Sequence, residues 1–123
     1  MINPRELRIG NFVEDINGIL IGYIQTLDLD TCHVKSVVDG VIYTYNYENL
    51  KPIPLTEEWL IKFGFEFDQL TWALDSQFEW IGGVLKYCQG KSKTIYVKCK
   101  YIHQLQNLYM CLVGQELELK PNL

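Results

Sequence analysis

The sequence predicts an α+β fold. An N-terminal SH3-like barrel or bent antiparallel sheet over about 1–50 precedes a helix–antiparallel sheet–helix unit over about 55–123, with the two expected to form one compact unit. Three observations predict it. Short β-rich runs recur between Phe12 and Tyr47 at spacings that suit a meander. Asn17-Gly18 and Asp39-Gly40 sit between those runs, and Asn-Gly and Asp-Gly are strong signals for tight hairpin turns. The stretch Ile102–Val113 carries apolar residues at helical spacing.

The elements follow in order. Phe12-Val13-Glu14 is the first strand, and Ile19–Leu27 the second, entered through Asn17-Gly18. Thr31–Val38 is the third, and Val41–Tyr47 the fourth, after Asp39-Gly40. Pro52 and Pro54 end this unit, because proline lacks the N–H that a central strand must donate. Thr56 is then a good N-cap. Glu57 and Glu58 follow in the first turn, where carboxylates favour the positive end of the helix dipole. Trp59, Leu60 and Phe63 give this short helix (56–63) an apolar face, and Gly64 stops it.

Strand-like runs return at 65–67, 71–74, 78–81, 84–87 and 94–101, with Gly82-Gly83 and Gly90 as turns. On a helical wheel, Ile102, Leu105, Leu108, Tyr109, Leu112 and Val113 fall within about 140° of one another, so this side should pack on a sheet. Gly114 ends the helix, and Glu116–Leu119 reads as a last short strand.

The composition excludes several classes. Of 123 residues, 48% are hydrophobic and 21% charged, which rules out a disordered, collagenous or coiled-coil chain. No apolar run approaches the ~18 residues needed to span a bilayer. The polar opening Met1–Gly10, with Arg5, Glu6 and Arg8, does not read as a signal peptide. The expected setting is the cytoplasm, without a membrane. With no secretion signal, Cys32, Cys88, Cys99 and Cys111 should be reduced.

The net charge of −4 is unevenly placed. Residues 1–80 hold five basic and thirteen acidic side chains, and residues 81–123 hold six and two. A net acidic chain repels polyanions, although a local basic patch on it can still bind a small anion or an acidic partner.

No catalytic signature is present: there is no GxSxG, GxxxxGK[ST], GxGxxG or HExxH. None of the cysteines forms a CxxC pair, so the common zinc and thioredoxin spacings are missing. The nearest approach to ligand spacing is Cys99 and His103, which would also be the partners of a Cys–His dyad. The paired carboxylates Glu14-Asp15, Asp28/Asp30 and Glu57-Glu58 are each explained by a turn or a helix start. The reading is a protein that is not an enzyme and carries no cofactor or metal.

Binding signals are better. Tyr43, Tyr45 and Tyr47 alternate along one strand and would share a face able to grip a peptide or stack a base. The plainer alternative is that their rings form the core of a small sheet with the hydroxyls reaching water. In the run 94–101, Tyr96, Lys98 and Lys100 share one face, and Ile95, Val97, Cys99 and Tyr101 share a face expected to be core. Lys91 and Lys93 are placed in the preceding turn. An aromatic–basic face of this kind can hold a phosphate and a base together, or be an ordinary solvated edge. The polar side of the last helix, with His103, Gln104, Gln106, Asn107 and Cys111, carries no formal charge. That favours burial against another lobe, or a homo-oligomer through this helix.

Three stretches carry a resemblance. They are the opening Asn3–Asn11, the middle Pro52–Leu60 with Lys62–Phe65, and Tyr101–Tyr109 with Gly114–Leu117. On these motifs the chain resembles a family of small uncharacterised proteins encoded by gut anaerobic bacteria and their phages and prophages. Segments 12–50 and 66–100 match only in pattern. The resemblance implies a mobile-element setting and no particular chemistry.

The expected function is therefore a non-enzymatic binding module, a phage or prophage accessory protein that binds and modulates a host protein. One alternative is a small-nucleotide or nucleic-acid binder, a sponge or sensor that uses the Lys/Tyr face. Another is a small structural phage protein.

Overall fold

The structure, a computed structural model, describes residues 2–68, 70–75, 77–89 and 93–120. The fold is α+β, with two antiparallel five-stranded sheets and two α-helices. The chain divides into two compact units, residues 1–54 with 101–108 and residues 55–100 with 109–123.

In the first unit, β1 (Phe12–Asp15), β2 (Ile21–Leu27), β3 (Thr31–Ser36) and β4 (Ile42–Asn46) form the expected meander. A 3-10 turn, Tyr47–Asn49, then leads into β5 (Leu50–Pro52), which returns to pair with β1. The strand order β4-β3-β2-β1-β5 is the connectivity of an SH3-like barrel. Its bend has a local cause: pairing shifts between Ile24 and Thr26, so Gln25 is an extra residue that kinks β2. The turns use the glycines flagged in the sequence, with Gly18 at φ +73° and Gly40 at φ +71°.

Gly22 serves a different purpose. A Cβ there would lie 2.5 Å from the Lys35 carbonyl oxygen and 2.6 Å from Val34 Cγ1, so only glycine lets β2 and β3 approach this closely. Ile2, Leu7, Val13, Ile24, Cys32, Val34, Tyr47 and Leu50 form the core. β5 was not expected from the sequence. It contains Pro52, and it is tolerated because β5 is an edge strand, where a missing N–H faces no ladder partner.

In the second unit, α1 (Glu57–Lys62) begins where expected, with Thr56 Oγ1 accepting from the Trp59 N–H at 3.4 Å. β6 (Glu66–Asp68), β7 (Thr71–Leu74), β8 (Phe78–Ile81), β9 (Val84–Gln89) and β10 (Lys93–Lys98) follow in spatial order β10-β9-β8-β7-β6. Gly82 and Gly83, both at positive φ, form the two-residue β8–β9 hairpin turn. One face of this sheet is aromatic: Phe78 packs on Tyr87 (centroids 4.8 Å apart) and on Tyr109 (5.3 Å).

α2 spans Ile102–Val113, as the periodicity predicts, and gives its residues up to Leu108 to the first unit. Two expectations fail. Residues 116–120 form no strand; they run as an extended tail anchored by buried Leu117 and by Lys120 N–H donating to the Lys62 carbonyl at 2.7 Å. Ile95 is 41% exposed rather than core, because β10 lies at the sheet edge and, among the described residues, no strand pairs with its outer side.

Candidate functional site

Two residues on the uncharged side of α2, Gln106 and Asn107, are engaged by the chain itself, while Cys111 on the same side is exposed. Within the first unit, Gln106 is 1% exposed. Its Nε2 donates to the Gly10 carbonyl at 3.0 Å, and its Oε1 accepts from the Phe12 N–H at 2.9 Å. Asn107 Nδ2 donates to the Glu6 carbonyl at 2.7 Å, and its Oδ1 accepts from Arg8 Nε at 3.1 Å and Asn11 Nδ2 at 2.8 Å. Asn11 Oδ1 in turn accepts from the Arg8 N–H at 2.7 Å. An amide side chain offers both a donor and an acceptor, so two neighbouring amides can close a buried backbone loop that charged groups could not. The helix face lacks lysine and glutamate because it clamps residues 6–12.

His103, on the same helix, is 2% exposed, and neither ring nitrogen has a hydrogen-bond partner among the described residues. Its Nε2 lies 3.5 Å from Glu6 Oε1. Burial lowers the His103 pKa below the ordinary 6.5, and the Glu6 carboxylate opposes that shift.

The three tyrosines separate. Tyr47 has left the strand for the 3-10 turn, where it is buried in the core and donates its hydroxyl to the Asp28 carbonyl. Tyr45 packs against the same core. Tyr45 is half-buried there, and Tyr43 is exposed, with its hydroxyl donating to Asp39 Oδ2 at 3.3 Å. Burial raises the Tyr45 and Tyr47 pKa values, and the nearby Asp39 charge raises that of Tyr43.

What the first unit exposes instead is the end of its sheet that carries the β1–β2 and β3–β4 turns. Val37, Val41 and Ile42 are about half exposed, Val38 is 89% exposed, and Ile16 and Ile19 stand out on the neighbouring turn. The β3–β4 turn is stiff. Ser36 N–H donates to the Val41 carbonyl (2.9 Å) and Gly40 N–H to the Ser36 carbonyl (3.0 Å). Val38 N–H donates to Ser36 Oγ (3.2 Å) and Val41 N–H to Asp39 Oδ1 (2.9 Å). A cavity of about 340 Å³ lies on this unit among Asp15, Ile16, Asn17, Thr44, Tyr45, Asn46 and Asn49. The sequence held the signal: Val37-Val38 and Val41-Ile42 flank a turn, where polar residues are usual. Ile42 reads as core until its register opposite Lys35, on the face of the sheet turned away from Cys32 and Val34, is known.

In the second unit, Tyr96 and Lys98 share a face of β10, as expected, with Tyr96 directly opposite Lys86. Tyr96 is 67% exposed, and Lys86 lies 3.9 Å from Glu79. Lys93 begins β10 rather than lying in the turn, and its odd spacing from Tyr96 and Lys98 puts it with Ile95 on the opposite face. The Lys100 stem runs beside Gly83, and Lys91 lies outside the described residues.

Burial pushes the Cys99 thiol up to about 12 and the Cys32 thiol up to about 11, so both are protonated at neutral pH and are poor nucleophiles. Among the described residues, no three His, Cys, Asp or Glu side chains converge as metal ligands. No described helix is long and apolar enough to cross a membrane. No protein-family model matches the chain, and comparison with curated proteins and with solved structures finds no match.

Proposed function

We propose that the protein is a non-enzymatic binding module that docks on another protein through the β3–β4 hairpin. The observation that carries this reading is the set Val37, Val38, Val41 and Ile42, exposed together on a turn held rigid by its own hydrogen bonds. Contiguous apolar surface on a stiff element loses water on docking and little conformational freedom, the combination that favours association. Residues 1–54 hold seven acidic and four basic side chains, so the unit as a whole favours a partner that is not strongly acidic. The resemblance to phage and prophage proteins supports a bacterial host protein as the partner, with modulation of that protein as the outcome.

The test is affinity capture from host lysate with the tagged chain and with a Val38→Asp/Ile42→Thr variant. One specific protein retained by the first and lost by the second, at unchanged melting temperature, supports the reading. Recovery of chaperones alone counts against it.

A further inference from the structure

We propose that β10 is a second binding site, which receives an extended acidic peptide segment as a sixth strand of the C-terminal sheet. β10 closes one edge of that sheet, and among the described residues no strand pairs with its outer side. A free edge presents unpaired N–H and C=O groups in the order another strand requires. Natural edges are blunted by prolines, bulges or short length. β10 has six residues in unbroken register with β9 and no proline. Lysine is the one protective feature present, and it protects against like-charged edges while attracting acidic ones.

The side chains specify the ligand. Lys93, Thr94, Ile95, Tyr96 and Lys98 are all exposed. Lys93 and Lys98 have no carboxylate partner among the described residues, and Tyr96 has no hydrogen-bond or ring partner there. Residues opposite one another on paired strands share a face, with Cβ atoms about 4.5–5.5 Å apart. A peptide strand on this edge therefore sets one residue against each β10 residue. Lys93 and Lys98 are five apart, so they call for acidic residues at positions one and six of the peptide, on opposite faces. Ile95, Tyr96 and Val97 call for apolar residues between them. The acidic spacing is the same for either strand direction, because the Lys-Thr-Ile-Tyr-Val-Lys run has lysine at both ends, and the apolar positions are three to five in a parallel strand and two to four in an antiparallel one.

A nucleic acid fits this edge less well. Its backbone offers acceptors but no matching row of donors. The chain's net charge of −4 also repels a long polyanion more than a peptide with two carboxylates.

The test is calorimetric titration of the full chain with a synthetic twelve-residue peptide whose central six residues have glutamate at positions one and six and apolar residues at two to five, which serves either strand direction. Binding is expected, and it should be lost when the peptide backbone is N-methylated at alternate residues facing the edge. Lys93→Glu with Lys98→Glu should weaken binding by about tenfold. A peptide with lysine at positions one and six should restore binding to that variant, which no merely structural defect would allow. Val38→Asp should leave peptide binding unchanged, so this site stands or falls apart from the hairpin. The proposal is overturned if the peptide does not bind, if the N-methylated peptide binds equally, or if oligothymidine binds where the peptide does not.

Discussion

Replacing Gln106 with leucine tests whether the polar face of α2 is an internal clamp. Leucine has nearly the same bulk, so little packing is lost and the effect is confined to hydrogen bonds. The variant leaves the Gly10 carbonyl without its 3.0 Å donor and the Phe12 N–H without its 2.9 Å acceptor, and it removes a weaker 3.4 Å contact to Asn11 Nδ2. The site is dry, since Asn11 and Gln106 are both essentially inaccessible. A buried polar group stripped of its partner costs about 1–3 kcal/mol. Two such groups give roughly 3 kcal/mol, or a fall in melting temperature of roughly 12 °C for a chain of 123 residues.

The assay is urea unfolding followed by far-ultraviolet circular dichroism, because all three tryptophans (Trp59, Trp72 and Trp80) lie in the second unit and fluorescence would miss the first. Amide exchange at Phe12 should accelerate in parallel. The exposed Cys111→Ser is the control, expected within about 0.5 kcal/mol of wild type. A Gln106→Leu loss as small as that control's would refute the clamp and return this helix face to a role in binding.

Two further predictions concern stability. Gly22→Ala should destabilise by about 2 kcal/mol or more, because the clash is with the Lys35 backbone, which cannot move without breaking the β2–β3 ladder. An unstrained strand glycine would instead gain up to about 1 kcal/mol from the same change, so the sign of the shift in a denaturation series decides. For His103, the folded pKa lies below the unfolded 6.5, so the unfolded chain takes up the proton first. Stability should be unaffected by this group above 6.5, fall by up to about 1.4 kcal/mol per pH unit below it, and level off under the folded value. His103→Leu should remove that component from a stability-against-pH curve between pH 7 and 5; identical slopes would contradict it.

Much of the fold was legible because its punctuation is local. Gly18, Gly40, Gly82 and Gly83 take positive φ at the turns their dipeptides announce, and Thr56, Gly64 and Gly114 bound the helices. What stayed hidden depends on which strand lies at an edge. β5 is stabilised by pairing Pro52 with Val13, far away in sequence, and no local pattern encodes that pairing. Ile95 and Ile42 have the hydrophobicity of core residues, yet Ile95 is exposed on β10, which ends its sheet, and Ile42 lies opposite Lys35 on the face of β4 turned away from the core. The alternation of Tyr43, Tyr45 and Tyr47 suggested one face, yet the chain turns into a 3-10 helix at Tyr47 and sends that ring into the core. The polar helix face was visible as an anomaly of composition. Its explanation required the loop at residues 6–12, about a hundred residues earlier, to be placed against it.

The most direct test of the binding reading is quantitative capture from host lysate with three tagged proteins: wild type, Val38→Asp/Ile42→Thr, and Lys93→Glu/Lys98→Glu. Removing two exposed apolar anchors from an interface should weaken it by roughly a hundredfold. A specific host protein should be retained by wild type and by the lysine variant and lost from the hairpin variant. Equal recovery of that protein by the hairpin variant would contradict the binding reading.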